Sequence, residues 1–541
     1  MEGLMMQYPL TVPSILDHGY EVYAQKEIIS ILPDNTRHSY TYTDLFKRSK
    51  KLMHALVNKL GVKKGDIIGT FAWNHYQHIE LYYGIPGSGA VCHTINIRLS
   101  QSQTEFIINN AEDRYIFIDA SLVPVIEPIA ALLPTVEAYI ILNAPKGFTT
   151  SLQSCIDYEE LIADAPEDSA WVQVSENDAC GLCYTSGTTG LPKGVLYSHR
   201  STYLHALVIS LPNCANLSFN DRILVGVPQF HVMAWGIPFA AILAGAVLIM
   251  PSSHLQPVPF IEFIQKEQVN KANGVPTIWL GIYSALKNNP PSLPFPLKEI
   301  MVGGASVPPS LIENFEKEFG IKMLHAWGMT ETSPVGTVSR LQPQHYSLPN
   351  ADKIKIRAMQ GQQVPCVEIR SVLENGDIAP CDGITSGEIE IKGAWVIDSY
   401  FKWNNRENFT NDGWFKTGDV GAINGDGYMQ ITDRAKDLIK SGGEWISSVA
   451  LEVAIMSHPN VKEASVIAIP DPLWTERPLA VVVLKEKKES LSIEELNNFL
   501  LPSFAKYQLP DKIVLIEEIP KTSVGKFNKK EMRRLYAEGK L

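Results

Sequence analysis

This sequence has no excess of positive charge, no cluster of cysteines and no long apolar run. Its 47 lysines and arginines are outnumbered by 58 acidic residues, and the formal charge of −11 argues against a broad nucleic-acid-binding surface. The seven cysteines are scattered, and the only close pair, Cys180 and Cys183, has no second pair to complete a zinc or redox site. Reduced thiols are therefore expected, as in the cytoplasm.

The longest apolar run, residues 236–250, is too short and too rich in glycine, proline and alanine to span a bilayer. The first residues also lack a basic region followed by an apolar core, so no secretory signal is expected. We therefore expect a cytoplasmic protein without a transmembrane segment.

The chain has 541 residues, of which 45% are hydrophobic, so it exceeds a single domain and can bury a large core. Residues 41–141 and 180–327 alternate between helix-like and strand-like patterns, which predicts largely parallel sheets covered by helices. Residues 364–433 instead contain short strands separated by Asn-Gly and Asp-Gly turns, which predicts a small antiparallel, β-barrel-like unit. Beyond this unit the pattern is that of a compact α+β domain.

The predicted fold class is therefore α/β, with a large N-terminal domain over residues 1–433 and a small mobile α+β domain over residues 434–541. We divide the N-terminal domain into subdomains at about residues 35–175, 176–350 and 360–433. The segment 433–437 joins the two domains. It is charged and contains no glycine or proline, which favours a hinge of defined geometry over a flexible linker.

Three local patterns make sharper structural predictions. One helix is predicted to bury a single aliphatic face, formed by Leu204, Leu207, Val208 and Leu211. Ser306 is predicted to cap the N-terminus of the helix that follows the Gly303-Gly304-Ala305 turn. Ser492 and Glu495 have the spacing of a capping box at the start of a helix in the C-terminal domain.

The stretch from Tyr184 to Gly194 combines four hydroxyl residues with three glycines and Lys193. Glycines allow backbone N–H groups to approach an anion, hydroxyls donate hydrogen bonds and lysine adds positive charge, so the composition is that of a phosphate-binding loop. The spacing is not that of a Walker A loop, and apolar runs on both sides predict a hairpin between two strands. The alternative for this stretch alone is a flexible surface turn.

Five motifs occur in a fixed order along the chain. They are Thr-Ser-Gly-Thr-Thr-Gly-Leu-Pro-Lys-Gly at 185–194, Trp-Gly-Met-Thr-Glu at 327–331, Lys-Thr-Gly-Asp at 416–419, Asp-Arg-Ala-Lys-Asp-Leu-Ile-Lys-Ser-Gly-Gly-Glu-Trp at 433–445 and Pro-Lys-Thr-Ser-Val-Gly-Lys at 520–526. On these motifs the chain, from about residue 15 to 535, resembles the acyl-adenylate-forming (AMP-binding) superfamily. Within the superfamily it is most similar to bacterial medium- and long-chain fatty acid–CoA ligases.

The resemblance implies a two-step reaction with ATP and CoA as co-substrates and Mg²⁺ as cofactor. A fatty acid carboxylate attacks the α-phosphorus of ATP to give acyl-AMP and pyrophosphate, and the CoA thiol then displaces AMP. Mg²⁺ would be held by Thr185 and Glu331, whose hard oxygen atoms suit it. The residues implied to bind ATP or AMP are Thr185, Ser186, Gly187, Thr188, Thr189, Gly190, Lys193, Gly304, Ala305, Ala326, Trp327, Gly328, Thr330, Asp419, Arg434, Lys436, Lys440 and Trp445.

The same resemblance assigns catalytic roles to Lys526, Thr330, His231 and Glu331. Lys526 would bridge the carboxylate and ATP and offset their negative charge as the two anions meet. Lys436 matches the hinge residue about which the small domain rotates. The residues implied to bind CoA are Ser441, Gly442, Gly443 and Glu444. Taken without the resemblance, Lys526 reads as an exposed surface lysine and His231 as a structural histidine.

Trp235 matches the residue that closes an apolar acyl tunnel in the fatty acyl-CoA ligases. Its neighbours are apolar and include no carboxylate to receive the ammonium group of an amino acid, which disfavours a peptide-synthetase substrate. The expected substrate is a medium-chain or long-chain fatty acid, with medium chains favoured. The alternatives are an adenylating enzyme for aryl or other acids, acyl transfer to a carrier-protein thiol, a nucleotide-binding sensor without catalysis and a P-loop NTPase.

Two positions depart from the family pattern. Ile97 stands where relatives usually have proline, and Ala326 stands where glycine is frequent beside the nucleotide. The resemblance leaves oligomeric state and peripheral membrane contact open, although many relatives are homodimers.

Overall fold

The computed structural model describes residues 1, 3–185, 191–291, 294–434, 436–441, 444–485, 490–522 and 525–541. Within these ranges no helix is both long enough and apolar enough to cross a membrane. The strands are β1 Glu27–Ile31, β2 Arg37–Thr41, β3 Ile67–Phe71, β4 Val91–Thr94, β5 Tyr115–Asp119, β6 Ala138–Leu142, β7 Cys155–Asp157, β8 Ala179–Tyr184, β9 Gly194–Ser198, β10 Arg222–Val225, β11 Val247–Met250, β12 Lys271–Gly274, β13 Glu299–Gly303, β14 Lys322–Gly328, β15 Val335–Ser339, β16 Gln362–Gln363, β17 Val367–Val372, β18 Gly387–Gly393, β19 Phe415–Ile423, β20 Met429–Arg434, β21 Ile439–Ser441, β22 Glu444–Ile446, β23 Val461–Asp471, β24 Thr475–Leu484 and β25 Lys512–Leu515.

Helices connect most of these strands. They are α1 Val12–Tyr23, α2 Tyr42–Asn58, α3 Tyr76–Gly87, α4 Gln101–Ala111, α5 Val123–Ile126, α6 Tyr158–Ile162, α7 His199–Ile209, α8 Ile237–Ala244, α9 Pro257–Lys266, α10 Pro276–Asn288, α11 Pro309–Phe319, α12 Asn350–Ala358, α13 Ser448–Met456, α14 Ile493–Leu500 and α15 Lys529–Ala537. The α/β fold class predicted from the sequence is confirmed.

Two large sheets form the N-terminal domain, and both are parallel in their centres. The first has the order β7-β6-β5-β3-β4-β8-β9, and the second has the order β16-β15-β14-β13-β12-β10-β11-β1-β2. Central strands such as β5 and β6 are buried at every residue, because helices cover both faces of the sheet.

The sheets do not divide the chain at residue 176. The β8–β9 hairpin lies after this position but pairs with the first sheet, whereas the N-terminal hairpin β1–β2 pairs with the second through β11. Backbone hydrogen bonding across space, which the order of elements along the chain does not reveal, determines which sheet each strand joins.

The phosphate-loop stretch is flanked by antiparallel strands, as predicted. Tyr184 is paired with Gly194, and Cys183 is paired with Val195. At the open end of the hairpin, Thr185 N donates to Lys193 O (2.9 Å), and Lys193 N donates to Thr185 Oγ1 (3.1 Å). The loop residues Ser186, Gly187, Thr188, Thr189 and Gly190 lie outside the described residues.

The rest of the chain forms one antiparallel sheet and the small C-terminal domain. Strands β17–β20 form a four-stranded antiparallel sheet in the predicted β-barrel-like region. In the C-terminal domain, β21–β25 form a sheet that packs against α13 and α14. The predicted capping box is present, since Ser492 N donates to Glu495 Oε2 (3.0 Å) and Glu495 N donates to Ser492 Oγ (3.1 Å).

Two local predictions are wrong. Ser306 does not cap α11, because Pro308 occupies the cap position and Pro309 starts the helix, where its fixed φ suits the first turn. Leu207 does not belong to a buried face of α7 and is 41% exposed. The buried side of α7 is instead formed by smaller and polar residues such as Ala206 and His205, so aliphatic spacing alone selected the wrong face.

Candidate active site

A cavity of about 660 Å³ lies where the large and small domains meet. It opens at the carboxyl ends of β13 and β14, the edge at which parallel sheets commonly bind ligands. The structure brings together at this cavity most of the described residues that the sequence nominated: Thr185, Lys193, His231, Trp235, Gly304, Ala305, Ala326, Trp327, Gly328, Thr330, Glu331, Asp419, Arg434, Lys436 and Lys526.

One wall of the cavity positions a carboxylate. Trp327 Nε1 donates to Asp419 Oδ2 (2.8 Å), and Arg434 Nε lies 3.2 Å from Asp419 Oδ1. Asp419 and Arg434 also face each other in the β19–β20 ladder, so the strand register itself places the pair. A carboxylate fixed on two sides in this way offers its remaining lone pairs to the hydroxyl groups of a ribose.

Glycines at the strand ends leave room that a side chain would fill. A Cβ on Gly304, whose φ is +83°, would lie 3.3 Å from Lys526 Cε, and one on Gly303 would lie 2.7 Å from Ala326 O. A Cβ on Gly328 would lie 1.7 Å from Pro334 O. Gly303 and Gly328 therefore allow neighbouring backbone to approach closely, and Gly304 leaves room beside Lys526, where a flat ring can lie against the backbone.

On the opposite wall, Tyr400 contacts both a carboxylate, Glu331, and a cation, Lys193. Tyr400 OH donates to Glu331 Oε1 (2.7 Å), and Lys193 Nζ lies 4.7 Å from the centre of the Tyr400 ring. Burial raises the pKa of Glu331, while the Tyr400 hydrogen bond and the nearby cations Arg434 and Lys193 lower it. Tyr197 OH donates to Thr330 O (2.8 Å) and fixes the adjoining turn.

These residues suit a divalent cation that is shared with a phosphate substrate. The described part of the chain contains no cluster of three or more histidine, cysteine or acidic side chains that could enclose a metal on its own. Glu331 and Thr185 offer one carboxylate and one hydroxyl at the same cavity. Mg²⁺ commonly completes such a partial set with phosphate oxygens and water.

Lys526 extends from the C-terminal domain into this cavity, against Gly304. Burial, followed by the charge of Arg434, lowers the pKa of Lys526 to about 8, although Asp419 and Glu331 act in the opposite direction. Burial and the Lys526 ammonium lower the pKa of His231 to about 3, so this imidazole is neutral near pH 7. A neutral histidine can donate or accept a hydrogen bond without adding charge.

The lowered pKa of Lys526 makes a testable prediction for catalysis. If the ammonium form is required, kcat/KM for pyrophosphate release should fall as the pH rises through about 8, because the free enzyme then loses the proton. Stopped assays over roughly pH 6.5 to 10 would measure this profile. Lys526→Arg, which stays charged throughout, should show no falling limb in its residual activity. A wild-type profile that stays level to high pH would contradict the assignment.

The segment before Trp235 has a backbone conformation that the sequence did not predict. Val232, Met233, Ala234 and Trp235 all have positive φ, between 46° and 60°, and Gly236 follows at 70°. Consecutive left-handed residues are costly for side chains with a Cβ, at about 1–2 kcal/mol each. This turn places Trp235 in the cavity wall, where its Cη2 would lie 3.4 Å from a Cβ on Gly303.

The hairpin β21–β22 does not contribute to this cavity through its described residues. Lys440 stacks on Trp445 at 5.3 Å, and Trp445 is 46% exposed. Ser441 is buried and accepts a hydrogen bond from Arg477 Nη1 (2.9 Å), while Glu444 is exposed. Gly442 and Gly443 lie outside the described residues. The nucleotide and CoA roles of this hairpin stay predictions.

Tyr400 lines the cavity and contacts two nominated residues, but sequence reasoning missed it. It belongs to no glycine-rich motif, and the nearest nominated residue along the chain is Asp419. Its segment is held by two backbone hydrogen bonds, from Ile397 N to Glu331 O (3.0 Å) and from Phe401 N to Gly194 O (2.8 Å). Contacts between residues so far apart in the chain leave no pattern in the sequence from which they could be predicted.

Comparison with known proteins finds relatives that match nearly the whole chain. The chain is 43% identical to a long-chain-fatty-acid–CoA ligase of Thermus thermophilus, over 98% of its length and 96% of the relative. It is 41% identical to a 3-methylmercaptopropionyl-CoA ligase of Ruegeria lacuscaerulensis, with 98% of each covered. It is 40% identical to a medium-chain-fatty-acid–CoA ligase of Ectopseudomonas oleovorans, over 99% of its length and 98% of the relative.

A solved structure has the same fold. An anthranilate CoA ligase in complex with anthranoyl-AMP superposes with a TM-score of 0.86 at 22% identity, over 100% of this chain and 99% of that one. Residues 18–401 match the family model described as AMP-binding enzyme, and residues 450–526 match that of the AMP-binding enzyme C-terminal domain. The chain therefore belongs to the AMP-binding, adenylate-forming enzyme family.

Proposed function

We propose that the acid activated by this protein is a medium-chain or long-chain fatty acid, medium chains being favoured. The protein is an ATP-dependent acyl-CoA ligase, and the proposal concerns which acid it uses and which residues act on it. The observation that carries it is a set of apolar residues in the cavity lining, which we call the acyl end. One of them, Val275, lies against Gly304, as Lys526 does. Val232, Trp235, Val275, Met301 and Val335 line this end.

The proposed first step depends mainly on charge. A carboxylate and a triphosphate repel each other, so positioning and neutralisation must supply most of the catalysis. Lys526 would lie between the two anions, and Lys193 would hold the phosphates that leave as pyrophosphate. Mg²⁺, when bound by Glu331 and Thr185, would supply further positive charge to the phosphate oxygens.

Contacts among the residues proposed to bind the nucleotide support the roles that we assign to them. Asp419 would accept the ribose hydroxyls, since Trp327 and Arg434 already fix its position. Gly304 and Ala305 would lie against the adenine ring. Thr330 would donate to the α-phosphate from a turn that Tyr197 anchors. In the second step, a thiol rather than an amine is the proposed acceptor, with residues 441–444 beside it.

The acidic residues that line the cavity already have partners within the protein, so an amino acid would leave its ammonium group without a free carboxylate. They are Glu331, Asp419, Asp433, Asp437 and Glu452. Aryl acids remain the main alternative. A flat ring needs less depth than a fatty chain, and the Trp235 indole is part of the lining at this end. Transfer to a carrier-protein thiol is the alternative for the second step.

A pyrophosphate-release assay tests the proposal. The purified protein would be supplied with Mg-ATP and with acids ranging from acetate to oleate, plus benzoate, 3-methylmercaptopropionate and several amino acids, with and without CoA. We expect pyrophosphate release to be greatest with fatty acids of about eight to twelve carbons, because added methylenes each contribute about 0.8 kcal/mol when buried. Release with aryl or amino acids but with no fatty acid would contradict the proposal.

Trp235→Ala tests the acyl end more locally. Removing the indole should extend the apolar space and shift the optimum of kcat/KM toward longer chains, by a few-fold to tenfold for the longest acids. The measurement is the ratio of kcat/KM values across the chain-length series. Trp414→Ala is a suitable control, because Trp414 packs against Arg370 and Lys392 and does not line the described cavity. An unchanged chain-length profile would mean that Trp235 only packs in the core and does not select the acid.

A further inference from the structure

A second group of charged side chains lies at the junction of the two domains, where it lines the same cavity but has no role in the reaction as proposed above. At the end of β20, Asp433 is fully buried. Its Oδ2 accepts hydrogen bonds from Ser448 N (2.5 Å) and Ser448 Oγ (2.6 Å). Ser448 is the first residue of α13 in the small domain, so this carboxylate joins the large domain to that helix.

Lys529 continues the connection from α13 to α15. Its Nζ lies 2.9 Å from Glu452 Oε1 and also donates to Ser448 Oγ. Only 12% of the Lys529 side chain and 10% of the Glu452 side chain are exposed. Glu452 in turn accepts from Ser465 Oγ (2.9 Å) and Val466 N (2.8 Å) of β23.

The relay Asp433–Ser448–Lys529–Glu452 therefore runs from the large domain through two helices to the central sheet of the small domain. A parallel contact joins Arg533, one turn along α15, to Asp437 of the hinge. The Glu452, Asp433 and Asp437 carboxylates outweigh burial and raise the pKa of Lys529. Every member of the relay thus has a partner of the opposite charge or a hydrogen-bonding partner.

One member of the relay, Lys529, is close in sequence to Lys526, the residue that extends into the cavity. Lys529 begins α15, three positions after Lys526, and the short connection is held where Asn528 N donates to Pro520 O (2.8 Å). At the large-domain end of the relay, Asp433 precedes Arg434, which contacts Asp419. Two members of the relay, Asp433 and Lys529, are therefore close in sequence to Arg434 and Lys526, two cationic residues of the cavity.

We propose that Lys529 is a positioning residue for adenylate formation, which fixes the small domain on Asp433 so that Lys526 enters the cavity. The inference rests on the proposed function of Lys526. Stability alone is a weak explanation for this relay, because buried ion pairs seldom stabilise a fold more than apolar residues of similar volume. A relay that crosses the domain boundary instead determines how the two domains are oriented.

The test separates the two half-reactions of Lys529→Met. We expect pyrophosphate release with octanoate and Mg-ATP to fall at least about tenfold, while CoA thioester formation from supplied octanoyl-AMP changes less than about twofold. Lys529→Arg, which keeps the charge, should recover part of the first half-reaction. Arg534→Met is the matched control, since Arg534 is an exposed cation of the same helix that pairs with Glu531 and Glu538.

Two further variants keep the test decisive if Lys529→Met folds poorly. Ser448→Ala removes only the hydroxyl at the centre of the relay, and the double variant Lys529→Met with Glu452→Gln removes the carboxylate that loses its ion-pair partner in Lys529→Met. Both should show the same selective loss of pyrophosphate release. Equal losses in the two half-reactions, or no loss in either, would overturn the proposal.

Hydrogen exchange gives a readout that does not need turnover. In Lys529→Met, peptides covering residues 429–434 and 525–531 should exchange faster than in wild type, by about tenfold or more, while β5 and β6 are unchanged. If wild type activates no acid but these peptides still respond, the proposed function fails and the relay stands. If exchange is unaffected, the relay does not hold the domains and the inference fails.

Discussion

Lys526→Ala should abolish pyrophosphate release with every acid, a loss of about a thousandfold or more, and leave thioester formation from supplied acyl-AMP nearly intact. The first step brings two anions together, and Lys526 is the small-domain cation that packs against Gly304 in the cavity. Removing one preorganised charge from such a site commonly costs about 10²–10³ in rate, and here it also leaves two anions in contact. Quenched-flow measurement of each half-reaction would give both numbers.

Lys521→Ala is the matched control for Lys526→Ala. Lys521 is a neighbouring lysine that pairs with Glu463 (3.0 Å) and lies outside the described cavity lining. Its pyrophosphate release should stay within about threefold of wild type. A Lys526→Ala variant that loses both half-reactions equally would mean that the lysine supports the domain and not the first step.

Glu331→Gln should lower pyrophosphate release by about a hundredfold, with little effect on folding. The amide keeps the size of the side chain and can still accept from Tyr400 OH, but it removes the carboxylate proposed to bind Mg²⁺. Because burial raises the pKa of Glu331, a neutral side chain is tolerated there and thermal unfolding should shift by only a few degrees.

The metal dependence distinguishes this role from a purely structural one. Calorimetric titration of Mg²⁺ into the ATP complex should show weaker binding in Glu331→Gln, by about tenfold or more. Tyr400→Phe, which keeps the ring beside Lys193 and removes the hydroxyl, should show a smaller change in the same direction. Unchanged Mg²⁺ binding in Glu331→Gln would mean that the carboxylate stabilises only its own turn.

Much of the fold and the candidate site could be predicted from the sequence where the physical signal is local. The β8–β9 hairpin followed from apolar runs on both sides of a glycine-rich turn, and the Ser492 capping box from two residues three apart. The motif residues of the phosphate loop, β14 and β19 were nominated in order, and their described members line one cavity. Local chemistry was sufficient for the hairpin and the capping box, whereas the site residues were nominated through the resemblance of their motifs to the family.

The rest depended on contacts between distant parts of the chain. No pattern of spacing shows that Tyr400 joins Glu331 to Lys193, or that Asp433 meets Ser448. The left-handed turn at Val232–Trp235 is also invisible to propensity, since its residues favour φ below zero. For α7, spacing identified a helix but could not show that Leu207 would face solvent.

The most direct test of the account follows the carboxylate oxygen. A fatty acid labelled with ¹⁸O in both carboxyl oxygens would be converted with Mg-ATP and CoA, and the products analysed by mass spectrometry. Attack on the α-phosphorus followed by thiol displacement leaves one labelled oxygen in AMP and none in pyrophosphate. We expect one ¹⁸O in each AMP formed, together with the fatty acyl-CoA. Unlabelled AMP, or label in released phosphate, would contradict the adenylate mechanism.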